Sequence, residues 1–145
     1  MGDLEKDLNT VFKDEWVKAL LNIKYTSAWF DQLGNKALAP YNISEQQYNI
    51  LRILRGAKKA ITVNTVRDRM VQKSPNITRL MDKLCEKSLI DRTRCDNDRR
   101  VVYVEIADAG LKLLEEIDLS SFDIPLKKIS EQEAKELNRI LDKLR

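Results

Sequence analysis

Between Thr62 and Ile106 the apolar residues of the chain switch from helical spacing to strand spacing within a few positions. Thr62 can cap a short helix that carries Val63, Val66 and Met70 on one face. Ser74 and Pro75 then supply an N-cap and a residue whose missing N–H costs nothing in a first helical turn. Ile77, Leu80, Met81, Leu84, Cys85 and Leu89 follow at helical spacing, with Asn76, Arg79, Asp82, Lys83, Glu86 and Lys87 on the opposite side. Two short helices joined by a tight turn, the second polar on its outer face, make a helix-turn-helix. Residues 90–95 then alternate like a strand and residues 96–100 turn. Val102, Val104 and Ile106 alternate against Val101, Tyr103 and Glu105. A helix-turn-helix that runs straight into a two-stranded ribbon predicts a winged helix, mainly α with a small β-wing.

The flanks are helical. A long first helix is expected from about Leu8 to Leu38. Its apolar residues cover more of the cylinder than one stripe, so it must touch more than one neighbour; Pro40 closes it. Ser44-Glu-Gln-Gln47 forms a capping box for a helix with Tyr48, Leu51 and Leu54 on one face and Gly56 as its stop. Lys58 and Lys59 fall in the loop that follows. After the ribbon the spacing predicts a helix over residues 107–117, a break over Ser120–Pro125, and a second capping box at Ser130–Glu133. The last helix then carries Leu137, Ile140, Leu141 and Leu144 in one row. The organisation expected is one domain over residues 1–145. Residues 43–106 form the winged helix-turn-helix, and residues 1–40 with 107–145 form a helical dimerisation region.

Charge is unevenly placed. Arg52 to Arg100 holds 14 Lys and Arg against 6 Asp and Glu, whereas the remainder holds 12 against 17. A basic middle between mildly acidic ends fits a surface that meets a polyanion. The chain has no histidine, its four glycines are scattered, and Cys85 and Cys95 match no metal-ligand spacing. No catalytic, metal or cofactor set can be named, which argues against an enzyme. No apolar run reaches the roughly 20 residues that span a bilayer, and the first residues lack signal-peptide order, so a cytoplasmic protein without a membrane partner is expected.

The exposed face of a helix over residues 74–89 can enter a major groove. A ribbon tip at residues 95–101 beside it reaches the flanking minor groove, where the negative potential favours arginine. Asp98 can hold one guanidinium while the neighbouring arginine enters the groove. The alternative is a solvated turn whose surface ion pair contributes little. That accounts for the charges but not for their place beside a helix-turn-helix.

The stretch Ser74-Pro-Asn-Ile-Thr-Arg-Leu-Met-Asp-Lys-Leu84, followed by Leu89-Ile-Asp-Arg92, Asp96-Asn-Asp-Arg-Arg100 and Val104-Glu-Ile-Ala-Asp-Ala-Gly110, resembles the MarR family of bacterial transcriptional regulators. The resemblance runs from about Ile43 to Ile117. It departs at Ser88, where glycine is usual, at Ala107, where a capping threonine is usual, and around Pro125. It implies a homodimer on a pseudo-palindromic double-stranded DNA operator, most often as a repressor. Two-fold symmetry would then place equal half-sites about 34–36 Å apart, one duplex turn. Ser74, Asn76, Thr78 and Arg79 would meet bases and phosphates, Lys73 and Lys83 the backbone, and Arg99 or Arg100 the minor groove. Which arginine inserts and which pairs with Asp98 stays open. A winged-helix scaffold that binds proteins and not DNA is the competing function. Such regulators also respond to ligands or oxidants. Trp16, Tyr25, Trp29 and Tyr48 are the candidate pocket for a small aromatic ligand, though aromatics at this spacing are more often core. Cys95, beside Arg92 and Arg94, is the candidate redox residue, and Cys85 an inert thiol on the apolar face of its helix.

Overall fold

The computed structural model describes residues 2–117 and 125–145. They fall into two compact units, one from residues 2–36 and 125–145, the other from residues 37–117. No helix among the described residues is long and apolar enough to cross a membrane.

The second unit begins with a reciprocal cap. Ser44 Oγ accepts the Gln47 N–H at 3.2 Å and Gln47 Oε1 accepts the Ser44 N–H at 3.0 Å, opening α3 (Glu45–Ala57). Gly56 does not end this helix. The left-handed position falls two residues later, on Lys58 with φ 54°. Strand β1 (Ile61–Thr62) leads into α4 (Val63–Arg69), and Thr62 Oγ1 caps α4 by accepting the Thr65 N–H at 3.1 Å. Then come α5 (Ile77–Glu86), β2 (Ile90–Arg94), β3 (Val102–Ile106) and α6 (Asp108–Glu116).

The ribbon is not two-stranded as expected. β1 pairs with the free edge of β3, Ile61 opposite Val104, giving an antiparallel sheet of order β1-β3-β2. Two residues are too short to show an alternation, so only the folded sheet reveals this strand. One core joins the pieces. Ile50, Leu51 and Leu54 of α3, Ile77, Met81 and Leu84 of α5, Val66 of α4, Ile90 and Val104 of the sheet and Leu114 of α6 are all buried in one cluster. Helix α6 therefore packs with the winged helix, on α3, although its residues were grouped with the dimerisation helices from sequence. Tyr41 fastens its far end by donating its hydroxyl to the Glu116 carbonyl at 3.0 Å.

Both local departures noted in the sequence have structural consequences. Helix α5 ends with the Leu89 N–H bonded to the Leu84 carbonyl at 3.0 Å and the Ser88 N–H to the Cys85 carbonyl at 2.9 Å, a Schellman closure. That closure puts Ser88 at φ 56°, a left-handed region where a Cβ is crowded. Ser88→Gly is expected to raise stability by roughly 0.5–1 kcal/mol in urea denaturation, the relief of crowding outweighing glycine's extra chain entropy. Ala107 holds the N-cap geometry of α6 (φ −83°, ψ 165°) but has no side chain to accept a helix N–H. Ala107→Ser is expected to add about 1 kcal/mol in the same measurement, and no gain would mean that the first turn is already satisfied.

The first unit contains α1 (Leu4–Asp7), α2 (Glu15–Leu38, its last two residues in the other unit), a short 3-10 turn (Leu126–Lys128) and α7 (Glu131–Lys143). The long helix expected from Leu8 starts at Glu15. Asn9 turns left-handed at φ 48°, and Asp14 Oδ1 accepts the N–H groups of Trp16 at 2.8 Å and Val17 at 3.2 Å, capping α2 there. Glu5 holds the intervening loop. Its carboxylate accepts the Phe12 N–H and a Lys18 Nζ bond, each at 3.3 Å, and these contacts lower its pKa. Ser130 and Glu133 form the expected capping box on α7. The break read at Ser120–Pro125 lies, except for Pro125, outside the described residues. The apolar rows stay uncovered: Trp16 is 86% exposed, Val17, Leu20 and Ile23 are exposed on α2, and so are Leu137 and Ile140 on α7 and Leu144 just after it.

Candidate nucleic-acid interface

Helix α5 is pinned by one face and free on the other. Ile77, Met81 and Leu84 are buried, which leaves Asn76, Arg79 and Lys83, three and four residues apart, together on the exposed side. Thr78 is exposed as well, and Lys73 is exposed in the turn before the helix. Ser74 is not where the sequence put it. The helix begins at Ile77 rather than beside Ser74, because residues 75 and 76 form a turn first. Ser74 is only 8% exposed and its Oγ accepts the Asn76 N–H at 3.2 Å. It shapes the approach to the helix and does not present its hydroxyl outward.

The wing is built from backbone bonds. The Cys95 N–H donates to the Val101 carbonyl at 2.9 Å, and the Val101 N–H donates to the Asp98 carbonyl at 3.0 Å. The Asp98 carboxylate accepts the Arg100 backbone N–H at 3.0 Å. Asp98 therefore holds the turn and not a guanidinium, which corrects the ion pair expected from sequence. An aspartate side chain reaches an N–H two residues on more readily than a long, solvated arginine head. Arg99 and Arg100 are both exposed, and neither forms an ion pair among the described residues.

Between α4, α5 and the wing lies an open cleft of about 310 Å³ whose polar lining includes Thr62, Asn64, Arg67, Thr78, Arg92 and Arg100. Arg92 ties the base of the wing to α5. It faces the same side of the ribbon as its partner Val104, and its Nη1 lies 2.8 Å from Asp82 Oδ1 on α5. Arg67 donates to Asn64 Oδ1 at 2.9 Å, three residues back on α4. Sequence reasoning named neither Arg67 nor Arg92 as part of this surface. Their part in the local basic excess was visible; the folding of α4 and β2 around one cleft was not.

The candidate aromatic pocket is not assembled on one element. Trp16, Tyr25 and Trp29 lie on α2 in one unit, and Tyr48 lies on α3 in the other. Trp16 and Trp29 are 13 positions apart in a continuous helix, about 20 Å at 1.5 Å per residue, so they cannot share one small pocket in a single chain. Trp29 stacks edge-on against Phe30 at 5.1 Å, and the Arg52 guanidinium sits 5.8 Å from the centre of the Tyr48 ring. Cys95 is half-buried at the base of the wing. Cys85 is half-buried on α5, and burial pushes its thiol above the ordinary value, against the lowering influence of Arg92. No group of acidic, cysteine or histidine side chains among the described residues could hold a metal ion.

The family model described as transcriptional regulator SarA/Rot matches residues 32–117, from the end of α2 through the winged helix to the end of α6. The chain belongs to the SarA/Rot family of transcriptional regulators. Among relatives of this SarA/Rot protein, the HTH-type transcriptional regulator MgrA of Staphylococcus aureus is 27% identical over 112 residues, 77% of this chain and 76% of MgrA. The MarR transcription factor of Planctomyces limnophilus has a similar structure, with a TM-score of 0.69 at 30% identity, covering 92% of this chain and 98% of that one. A mutant of E. coli MarR, solved in complex with operator DNA, superimposes with a TM-score of 0.78 at 23% identity over 93% of this chain and 99% of that one. The fold is therefore that of the MarR-like winged-helix regulators, and the relatives are transcriptional regulators, not enzymes.

Proposed function

We propose that this regulator binds double-stranded DNA as a homodimer on a pseudo-palindromic operator and represses transcription there. The observation that carries the proposal is the arrangement of one compact unit. The exposed row Asn76, Arg79 and Lys83 and the unpaired arginines at the wing tip both project from the same buried core. The helix fits a major groove and the wing the minor groove beside it. E. coli MarR and MepR from S. aureus, which share this fold, were solved in complex with DNA, and this supports DNA as the partner.

The dimer is drawn from the first unit. Leu20, Ile23, Leu137 and Ile140 on two helices, with Leu144 just after the second, are exposed apolar residues, and a second copy would cover them. Repression follows where the operator overlaps a promoter, since the bound dimer excludes the polymerase. Such a protein works in the cytoplasm. For release we keep a small aromatic effector, for which Tyr25 and Trp29, one turn apart on α2, offer neighbouring, partly exposed rings.

Selection of bound duplexes from a random pool is the test. The expected product is a palindrome whose half-site centres are about one duplex turn apart, bound by a species of twice the chain mass. Recovery of no sequence at low salt would overturn the proposal in favour of the protein-binding scaffold, and recovery of single half-sites by a monomer would overturn the homodimer while leaving DNA binding.

A further inference from the structure

Arg67 on α4, Arg92 on β2 and Arg100 in the wing border the cleft between α4, α5 and the wing, and none of its lining residues carries a carboxylate. Their charges are unequally matched. Arg92 Nη1 lies 2.8 Å from Asp82 Oδ1, which offsets much of its charge and fixes one edge of the guanidinium while leaving donors on the other. Arg67 is exposed and donates to the neutral Asn64 Oδ1 at 2.9 Å. That bond orients its guanidinium without matching its charge, and Arg67 forms no ion pair among the described residues. The groove contacts proposed above use neither Arg67 nor Arg92.

A sugar-phosphate backbone separates each major groove from the minor groove beside it. With α5 in the one and the wing tip in the other, that strand must run between them, and the cleft occupies this interval. At about 310 Å³ the cleft is at the small end of pockets that enclose a whole ligand, and it is open, which suits one group of a longer chain. A backbone phosphate brings one negative charge and two free oxygens, which match the forked donors of arginine. We propose that the cleft is a phosphate-binding site, in which Arg67 and Arg92 hold the backbone phosphate that lies between the two grooves. Arg67 supplies the unmatched charge, and Arg92, fixed by Asp82, supplies donors from the opposite wall. The inference rests on the proposed DNA binding. It adds a contact outside the polar row of α5 and the wing tip, one that sets register on the duplex without reading a base.

The test uses the full chain and the duplex recovered from the random pool. Phosphates of one half-site are replaced one at a time by methylphosphonates, which remove the charge and keep the backbone. Neutralising a phosphate between the selected bases and the flanking minor groove is expected to weaken native binding about tenfold, the value of a hydrogen bond to a charged group. Arg67→Ala and Arg92→Ala should each bind the unmodified duplex about tenfold more weakly per half-site. Each should also lose sensitivity at that one phosphate and keep it at the others. In Arg67→Ala the salt slope should fall by about 1 per half-site, and the urea midpoint should stay, because the side chain is exposed. Methylphosphonates without effect on the native protein throughout that interval would overturn the inference while leaving DNA binding intact. So would full sensitivity at that phosphate in either variant. If no duplex binds at low salt, the DNA proposal falls and this one with it.

Discussion

Gly110→Ala is expected to lower the unfolding free energy by about 3 kcal/mol, whereas Gly56→Ala should raise it by roughly 0.5–1 kcal/mol, in urea denaturation at one fixed protein concentration. The same methyl is added to a helix in both cases. At Gly110 the new carbon would lie 2.3 Å from the Leu89 carbonyl oxygen and 2.8 Å from Ile106 Cγ1. That carbonyl cannot simply retreat, because it accepts the Ala107 N–H at 3.0 Å and so joins the residue before β2 to the start of α6. Relief requires α6 to move off the sheet, away from the core that holds Leu114. At Gly56 a Cβ meets nothing within 4 Å, and only the helix preference of alanine remains. If both variants shift stability in the same direction, the close approach of α6 to Leu89 is wrong.

Replacing Arg99 and Arg100 together by alanine is expected to weaken binding to the selected duplex by roughly ten- to a hundredfold near physiological salt. It should also reduce the slope of log affinity against log salt by up to about 2, one for each cation that displaces a counterion. The urea midpoint should not move, since both side chains are exposed and form no ion pair among the described residues. The single variants separate the two. Arg100 lines the cleft beside Thr78 and Arg92, while Arg99 is absent from that lining, so loss of sequence discrimination in one and of general affinity in the other would show which enters the groove. Unchanged affinity and slope in the double variant would eliminate the wing as a DNA contact.

The fold was legible in sequence wherever local chemistry decides structure. The capping boxes at Ser44 and Ser130, the Thr62 cap and the apolar rows of α3 and α5 act over three to seven residues, and each forms as its residues require. The departures have two origins. Ser74 and Asp98 are polar residues whose local bonding options outnumber what a pattern can rank. Ser74 turns inward to the Asn76 N–H, and Asp98 takes a backbone N–H in place of an arginine head. Strand β1 and the early break at Asn9 are too short to leave a periodic trace.

The sequence by itself determined the order of elements, the polar face of α5 and the basic tip of the ribbon, because apolar period, caps and turn residues are properties of neighbours along the chain. Only the tertiary structure decided that β1 closes the sheet, that α6 belongs with the winged helix, and that Arg67, Arg92 and Arg100 border one cleft. Those facts depend on contacts between residues far apart in the chain, such as Ile61 with Val104 and Arg92 with Asp82, which form only when burial of the shared core brings them together.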